Sequence, residues 1–455
     1  MAELSYDAAA DVVRGRWSSD GGPAAAEIEI EVDGAAWSRI AGFDAPDGGG
    51  IREFHCSLAP VAQPTRSVVA AFAGGELLGR IDVLRRPLRN AHGLAAAEVL
   101  ATDHHPFSAL PWVSLGDAKL GLNGMHLPPE GDPSKLSVEF GDGVAYAVQS
   151  GLPSPDYRSH YWYWPNSDFA GFILTVDLAA SARDSDPFHF RFVYRSGGNK
   201  GAGKRPIDVW LPPNFSSFVG FPADPSLMQR VQTWSNAATS ATTGYNAYKT
   251  LEALFARSGV LQESNPRILD WGCGHGRIAR HFIDASPGAR VFGTDVDAEN
   301  VDWCRTHLGP DRFQLSPLWP PTGFPDAFFD GIFGVSVMTH LTADAQHAWL
   351  EELARILRPG GVGLITFQAE GSAAFGSSWR DCAWWDRWNA TGFDDGQIDS
   401  ALEGKISEPT YYRNTTQSRD DVLERWGRFF EVSAIEPAIF GGYQDCAVLR
   451  KRAQP

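Results

Sequence analysis

The residues best suited to chemistry lie where an apolar strand pattern meets a helical one. In Ile268-Leu269-Asp270-Trp271-Gly272-Cys273-Gly274-His275-Gly276-Arg277, three glycines alternate with other residues directly after a strand. Such glycines let the backbone approach a ligand closely and supply N–H groups at a helix N-terminus, where a carboxylate or phosphate is favoured. Asp295 ends the next strand, Val291-Phe292-Gly293-Thr294-Asp295, where an acid can accept hydrogen bonds from both hydroxyls of a ribose. His340 follows a further strand on the side where parallel sheets bind ligands, and is the candidate base for a hydroxyl proton. It equally suits a role in shaping the start of the following helix. His275 lies within the glycine turn as a neighbour of the ligand. His104-His105 has no further metal ligands beside it and reads as a solvated loop, so no metal site is expected.

The elements that must position these residues change character near residue 215. Before it, short alternating strands are separated by Gly, Pro and Asp turns: Glu27–Val32 before Asp33-Gly34, Leu136–Phe140 before Asp142-Gly143, and Phe188–Tyr194. This points to β-sandwich units. Four matches recur in order along the chain with a growing offset. They are Asp33-Gly34 with Asp142-Gly143, Leu58-Ala59 with Leu178-Ala179, the Gly-Gly turns at 74 and 197, and Arg80–Leu84 with Pro206–Trp210. The expectation is two all-β sandwich-like repeats, 15–88 and 120–213, joined by a connector over 89–119.

Beyond residue 225 helices and strands alternate, which requires a doubly wound α/β sheet, parallel in its main part. The expected elements are a helix over Tyr245–Arg257, strands Arg267–Asp270 and Arg290–Asp295, strand Phe329–Val337, helix Ala343–Leu357 and strand Val362–Phe367. Two closing strands, Phe429–Ile435 and Gln444–Leu449, read as antiparallel.

A dinucleotide oxidoreductase needs G-x-G-x-x-G, whereas the spacing here is G-x-G-x-G with Arg at 277. An acid two residues before the first glycine instead resembles the first motif of the class I S-adenosylmethionine-dependent methyltransferases. Asp326 to Val337 resembles the run into their fourth strand. Arg358-Pro359-Gly360-Gly361 resembles the turn before their fifth. The resemblance covers about 225–455 and implies a Rossmann-like fold and S-adenosyl-L-methionine as cofactor. It implies Asp270, Gly272, Gly274 and Gly276 along the methionine half, Asp295 on the ribose, and Val296 beside the adenine. Gly244, Val335 and Ser336 are further candidates for backbone contacts. Phe313–Pro317 carries no acid for the adenine amino group.

The long stretch 368–420 holds Trp379, Trp384, Trp385, Trp388, Tyr411 and Tyr412 with Arg413 nearby. It reads either as a lid over the acceptor, with Trp379, Trp384, Tyr411, Tyr412 and Arg413 as substrate contacts, or as a helical hairpin packing its own aromatics. Tyr161-Trp162-Tyr163-Trp164 reads as a strand with one pair buried. The β-units would bind a glycan or build a homo-oligomer. The expected function is O-methylation of a saccharide or related small molecule. The alternatives are a non-catalytic glycan- or protein-binding scaffold with this fold and, less favoured, a nicotinamide-dependent oxidoreductase.

Composition narrows the partners. With 39 Lys+Arg against 55 Asp+Glu and a net charge of −16, the chain has no basic run for a nucleic-acid backbone. The 43% hydrophobic and 21% charged content excludes a wholly disordered chain. No stretch approaches the roughly 18 apolar residues of a membrane span. Met1–Val13 carries acids where a secretory leader needs basic residues, and the five cysteines form no C-x-x-C. A reducing cytoplasm is the expected location.

Overall fold

Seven strands form the sheet that carries the glycine turn, and numbering them within this sheet shows the topology directly. They are β1 (Arg267–Trp271), β2 (Arg290–Asp295), β3 (Phe313–Leu315), β4 (Phe329–Gly334), β5 (Leu357–Gln368), β6 (Glu431–Phe440) and β7 (Gln444–Arg450). A computed structural model describes residues 3–18, 27–41, 43–44, 51–102, 107–116, 119–127, 136–140, 145–177, 188–194, 207–211, 220–232, 237–285 and 288–453. The strand order is 3-2-1-4-5-7-6. β1 to β5 are parallel, and β7 runs antiparallel between β5 and β6. The order reverses between β1 and β4, so the carboxyl ends of those strands diverge into a crevice.

Residues in β1 alternate between two cores, as strand geometry demands. Ile268 joins a cluster with Tyr248, Leu251 and Phe255 of the Ala237–Arg257 helix and with Phe282 and Phe333. Leu269 and Trp271 join the opposite one, with Trp349 and Leu353 of the Ala343–Ile356 helix, Phe367 and Trp426. Burial on both faces is why β1 reads as a nearly continuous apolar run. Side chains close the helix starts: Asp297 accepts from the amides of Glu299 and Asn300, and Thr342 from that of Ala345.

Several expected boundaries shift. The Tyr245–Arg257 helix begins at Ala237, because the Ala-Ala-Thr-Ser-Ala-Thr-Thr stretch lacks apolar periodicity yet packs as helix. The Arg358–Gly361 stretch lies within β5 instead of forming a separate turn, with Gly360 at φ +75° taking up the irregularity. β4 ends at Gly334, short of Val337, since Ser336 at φ +62° leaves the strand.

The N-terminal part is built from antiparallel sheets. In chain order, its first eight strands are Glu3–Asp7, Val12–Ser18, Glu27–Val32, Ala35–Ala41, Phe43–Asp44, Ile51–Ser57, Thr65–Ala73 and Glu76–Arg85. They make two sheets, ordered first-second-sixth-fifth and fourth-third-seventh-eighth. The next seven are Phe107–Gly116, Lys119–Leu127, Leu136–Phe140, Tyr146–Leu152, Gly171–Asp177, Phe188–Tyr194 and Ile207–Leu211. They make a four-stranded sheet, Tyr146–Leu152 beside Gly171–Asp177, then Lys119–Leu127, then Phe107–Gly116, and a three-stranded one, Leu136–Phe140, Phe188–Tyr194, Ile207–Leu211. The strands begin at Glu3, ahead of residue 15, and the expected connector contains the Ala96–Thr102 helix and the Phe107–Gly116 strand. Asp142-Gly143, Leu178-Ala179, Gly197 and Pro206, used to align the expected repeats, lie outside the described residues, as do His104 and His105.

The 368–420 insertion joins the two halves. It comprises helices Glu370–Gly376 and Cys382–Thr391, hairpin strands Phe393–Ile398 and Arg413–Gln417, and the start of the helix from Arg419. Trp384, Trp385 and Trp388 are buried with Tyr161, Tyr163 and Trp164 of the β-rich part in one cluster. Tyr161–Trp164 is a turn after the Pro155–His160 helix and not a strand, so its aromatics do not alternate: three are buried together. Among the described residues no helix is long and apolar enough to cross a membrane.

Candidate functional site

A cleft of about 120 Å3 opens at the carboxyl ends of the central strands. One wall is Trp271, Gly272 and Gly274 from the end of β1, Thr294 to Asp297 from the end of β2, and Ser316 beyond β3. The opposite wall is Val335, Ser336, Val337, His340 and Leu341 beyond β4, and the roof comprises Leu402, Tyr411 and Tyr412 from the insertion. Every strand of the switch-point crevice contributes, which is how a sheet of this topology forms a ligand site.

The glycine turn is wedged between two cleft walls. Gly272 (φ +79°) and Gly274 (φ +51°) adopt backbone conformations that disfavour a side chain. A Cβ on Gly272 would lie 2.4 Å from Val337, and one on Gly274 would lie 2.4 Å from Val231. Asp295 fixes the turn from the next strand: its carboxylate accepts from the Gly274 amide at 2.7 Å and the Asp297 amide at 2.9 Å. Burial pushes its carboxyl up to about 6, against the pull of those amides. Asp270 is buried, and its Oδ2 has no hydrogen-bond partner among the described residues. Burial pushes it up to about 8, the nearby Arg277 guanidinium opposing and Asp295 adding to the rise. A buried, half-satisfied carboxyl is a cost that a polar ligand relieves.

His340 stands across the cleft with its tautomer fixed. Its Nδ1 lies 2.8 Å from the Arg413 carbonyl, which can only accept, so Nδ1 donates and Nε2 keeps its lone pair. The Asp399 carboxylate lies 3.5 Å from the same nitrogen. The ring stacks on Tyr412 with centroids 4.1 Å apart and planes at 10°. Burial lowers the imidazole pKa below its ordinary 6.5, partly offset by the Arg413 carbonyl and Asp399. The ring is therefore neutral near pH 7, with Nε2 available as a base. Beside it Ser336 holds its left-handed backbone through Thr366 Oγ1, which accepts from the Ser336 amide at 2.8 Å.

The expected site residues fall into three groups. Gly272, Gly274, Asp295, Val296, Val335, Ser336, His340, Tyr411 and Tyr412 share the cleft. Asp270 and Gly276 stand behind it, and a Cβ on Gly276 would lie 2.4 Å from Leu308. Gly244 is also absent from the lining: its Cα packs on the glycine turn's far side, where a Cβ would sit 2.3 Å from the Arg277 carbonyl oxygen. Trp379 and Trp384 are away from the cleft, because Trp384 packs into the junction with the β-rich half and Trp379 is exposed beside Phe375 and His160. Arg413 serves His340 through its carbonyl. Sequence reasoning missed Asp399, Trp349 and Arg230. Asp399 follows a hairpin strand with no motif around it, and the other two read as ordinary helix residues.

Comparison with known proteins identifies this framework. Residues 268–361 match a family described as a methyltransferase domain. A fatty-acid O-methyltransferase of Mycolicibacterium smegmatis is 34% identical over 103 residues, 22% of this chain and 36% of that protein. The 2-O-methyltransferase NoeI of Sinorhizobium fredii is 31% identical over 91 residues, 20% of this chain and 35% of that protein. The chain thus spans little more than a third of the length of these relatives. Among solved structures, a TehB-like S-adenosylmethionine-dependent methyltransferase from Corynebacterium glutamicum is 21% identical, with a TM-score of 0.33 over 50% of this chain and 98% of that one. A Burkholderia thailandensis 1,6-didemethyltoxoflavin-N1-methyltransferase with bound S-adenosylhomocysteine is 17% identical, with a TM-score of 0.33 over 58% and 96%. The glycine turn, the strand order and the family match together place the C-terminal domain of this chain among the class I S-adenosylmethionine-dependent methyltransferases.

Proposed function

We propose that the protein is an S-adenosylmethionine-dependent O-methyltransferase acting on a hydroxyl of a small molecule. The observation that carries this reading is the neutral His340 in the lining of a cleft that Gly272, Gly274 and Asp295 prepare for the cofactor, its Nδ1 committed to the Arg413 carbonyl and its Nε2 keeping the lone pair. When bound, the cofactor supplies a methyl group on a sulfonium, already activated for transfer. The chain's own task is then to hold the acceptor oxygen in line and take its proton at His340 Nε2.

In this reading Asp295 accepts the ribose hydroxyls, Val296 lies against the adenine, and Gly272 and Gly274, lacking side chains, let the methionine portion approach the backbone. Asp270 acts from behind the turn, with one carboxyl oxygen left without a partner among the described residues. Val335 and Ser336 contribute backbone contacts. Gly276 and Gly244 act through packing, by letting helices approach the turn.

A saccharide or related molecule is the acceptor we favour, with Tyr411 and Tyr412 as ring contacts. We further infer that the two β-rich units, 15–88 and 120–213 with their preceding strands, are diverged copies. The shared order of their sheets supports duplication: strand for strand the second repeats the first, lacking only a counterpart of Ala35–Ala41 among the described residues. They suit a glycan-binding or oligomer-forming role. The reading is tested by incubating the full chain with labelled S-adenosylmethionine and a panel of hydroxylated acceptors. Label on oxygen, lost in His340→Ala, supports it, and label transfer unaffected by that variant contradicts the role given to His340.

A further inference from the structure

With the edge formed by Gly272, Gly274, Asp295, Val296 and Ser316 assigned to the cofactor, the acceptor falls to the part of the lining made by His340, Leu341, Trp349, Leu402, Tyr411 and Tyr412. None is a cation at neutral pH. The cleft's only arginine or lysine, among the described residues, is Arg230, and its guanidinium is already occupied. Nε donates to Asp297 at 2.7 Å, Nη2 to Glu299 at 2.7 Å, and Nη1 lies 3.5 Å from Ser226 Oγ. Glu299 is held in turn by Lys405, 2.9 Å away. The Tyr411 hydroxyl is likewise engaged, accepting from Trp349 Nε1 at 2.8 Å and donating to the Leu318 carbonyl. Two acids stand at the chamber: Asp399 beside His340, and Asp295 across the cleft. Both act on the Tyr412 phenol and help to hold its proton on.

A carboxylate placed here would leave water for apolar and aromatic walls, find no unpaired cation among the lining residues, and face two acids. An unpaired buried charge is among the most unfavourable arrangements available to a ligand. A carboxylate oxygen as the attacking atom also has no proton for His340 to take. We infer that the site selects a neutral hydroxylated ring as acceptor and rejects anionic, carboxylate-bearing ones. The inference rests on the methyltransferase reading above. The aromatic walls accept the face of a phenol or of a sugar ring, and the two are separated by the test.

The test uses the full chain saturated with S-adenosylhomocysteine and two matched pairs: 2-naphthol with 2-naphthoate, and phenyl glucoside with phenyl glucuronide. Binding is read by calorimetry at pH 7.5. The neutral member of at least one pair should bind more tightly than its anion, by about tenfold or more for a charge left unpaired. The pair that responds identifies the ring. In Leu402→Arg, which places a cation in the chamber wall, the anionic member should gain about tenfold on its neutral partner. Anions binding as well as the neutral compounds, or none of the four binding, overturns the inference and leaves the methyltransferase reading standing. Failure of S-adenosylhomocysteine itself to bind takes down both.

Discussion

His340 and Arg413 meet through a backbone carbonyl: the imidazole Nδ1 donates to the Arg413 oxygen at 2.8 Å, across an interval of 73 residues. The contact ties the segment after β4 to the hairpin of the insertion, so His340 and the cleft roof are set by one hydrogen bond. Asp399, 3.5 Å from the same nitrogen, reinforces it. Because Nδ1 is committed, Nε2 is the only ring position at which a proton can be taken up.

This geometry has a pH signature. Burial lowers the His340 pKa below its ordinary 6.5, and in the proposed role of base it would act only when unprotonated. Methyl transfer should therefore be fully developed at pH 7 and fall as pH drops through a value below 6.5. A pH profile of kcat/KM checks this. His340→Ala should lose on the order of 10²–10⁴ in kcat while cofactor affinity is retained. Asp399→Asn should weaken kcat less and lower the acid limb, since a neighbouring carboxylate stabilises the protonated ring.

Asp270 should show a conflict between stability and binding. Its carboxyl titrates near 8 in the fold, far above an unfolded aspartate near 3.9. Between those values the folded chain holds the extra proton, so this residue's contribution to stability falls as pH rises from about 4 to 8. Asp270→Asn should raise the melting temperature of the free protein at pH 8 by a few degrees, about 1 kcal/mol or more for a buried uncompensated group. The same variant should weaken S-adenosylmethionine binding. A melting temperature that falls would contradict the role given to the unpaired oxygen.

Much of the catalytic half was legible because its signals are local. The glycines at 272, 274 and 276, Asp295 at a strand end and the alternation of strand and helix each announce their neighbours' geometry. His340 was legible from its place after β4. What escaped depends on distant pairing. Asp399 reaches His340 only because a hairpin folds back over the cleft, and Trp384 leaves the acceptor region because Tyr163 and Trp164 offer it a partner core. Neither relation leaves a periodic or motif trace. Tyr161–Trp164 was misread because a run of aromatics resembles a strand until tertiary packing decides its path.

Gly244 offers a test of how helix packing supports the turn. A Cβ there would lie 2.3 Å from the Arg277 carbonyl oxygen, a backbone atom that cannot move without the turn. Gly244→Ala should destabilise the domain by roughly 1–3 kcal/mol despite alanine's better helix propensity. Denaturant unfolding followed by tryptophan fluorescence would measure it. A stabilised variant would contradict the packing.

The junction between the halves should behave as a core. Trp385 and Trp388 are almost fully buried against Tyr161, Tyr163 and Trp164. Trp385→Ala should cost about 3–5 kcal/mol, as for large-to-small changes in cores. A chain beginning at residue 220 would expose this aromatic face and should bind hydrophobic dye and self-associate. Both are read by thermal melts and light scattering.

The central claim is that the cleft between β1 and β4 holds S-adenosylmethionine through the glycine turn and Asp295. It is tested most directly by calorimetric titration of the full chain with S-adenosylmethionine, S-adenosylhomocysteine and NAD, beside Asp295→Ala. The account predicts binding of both sulfur ligands, weakening as pH falls through about 6 where Asp295 takes up its proton, and loss of binding in the variant. Binding of NAD alone, or unaltered binding in Asp295→Ala, would contradict it.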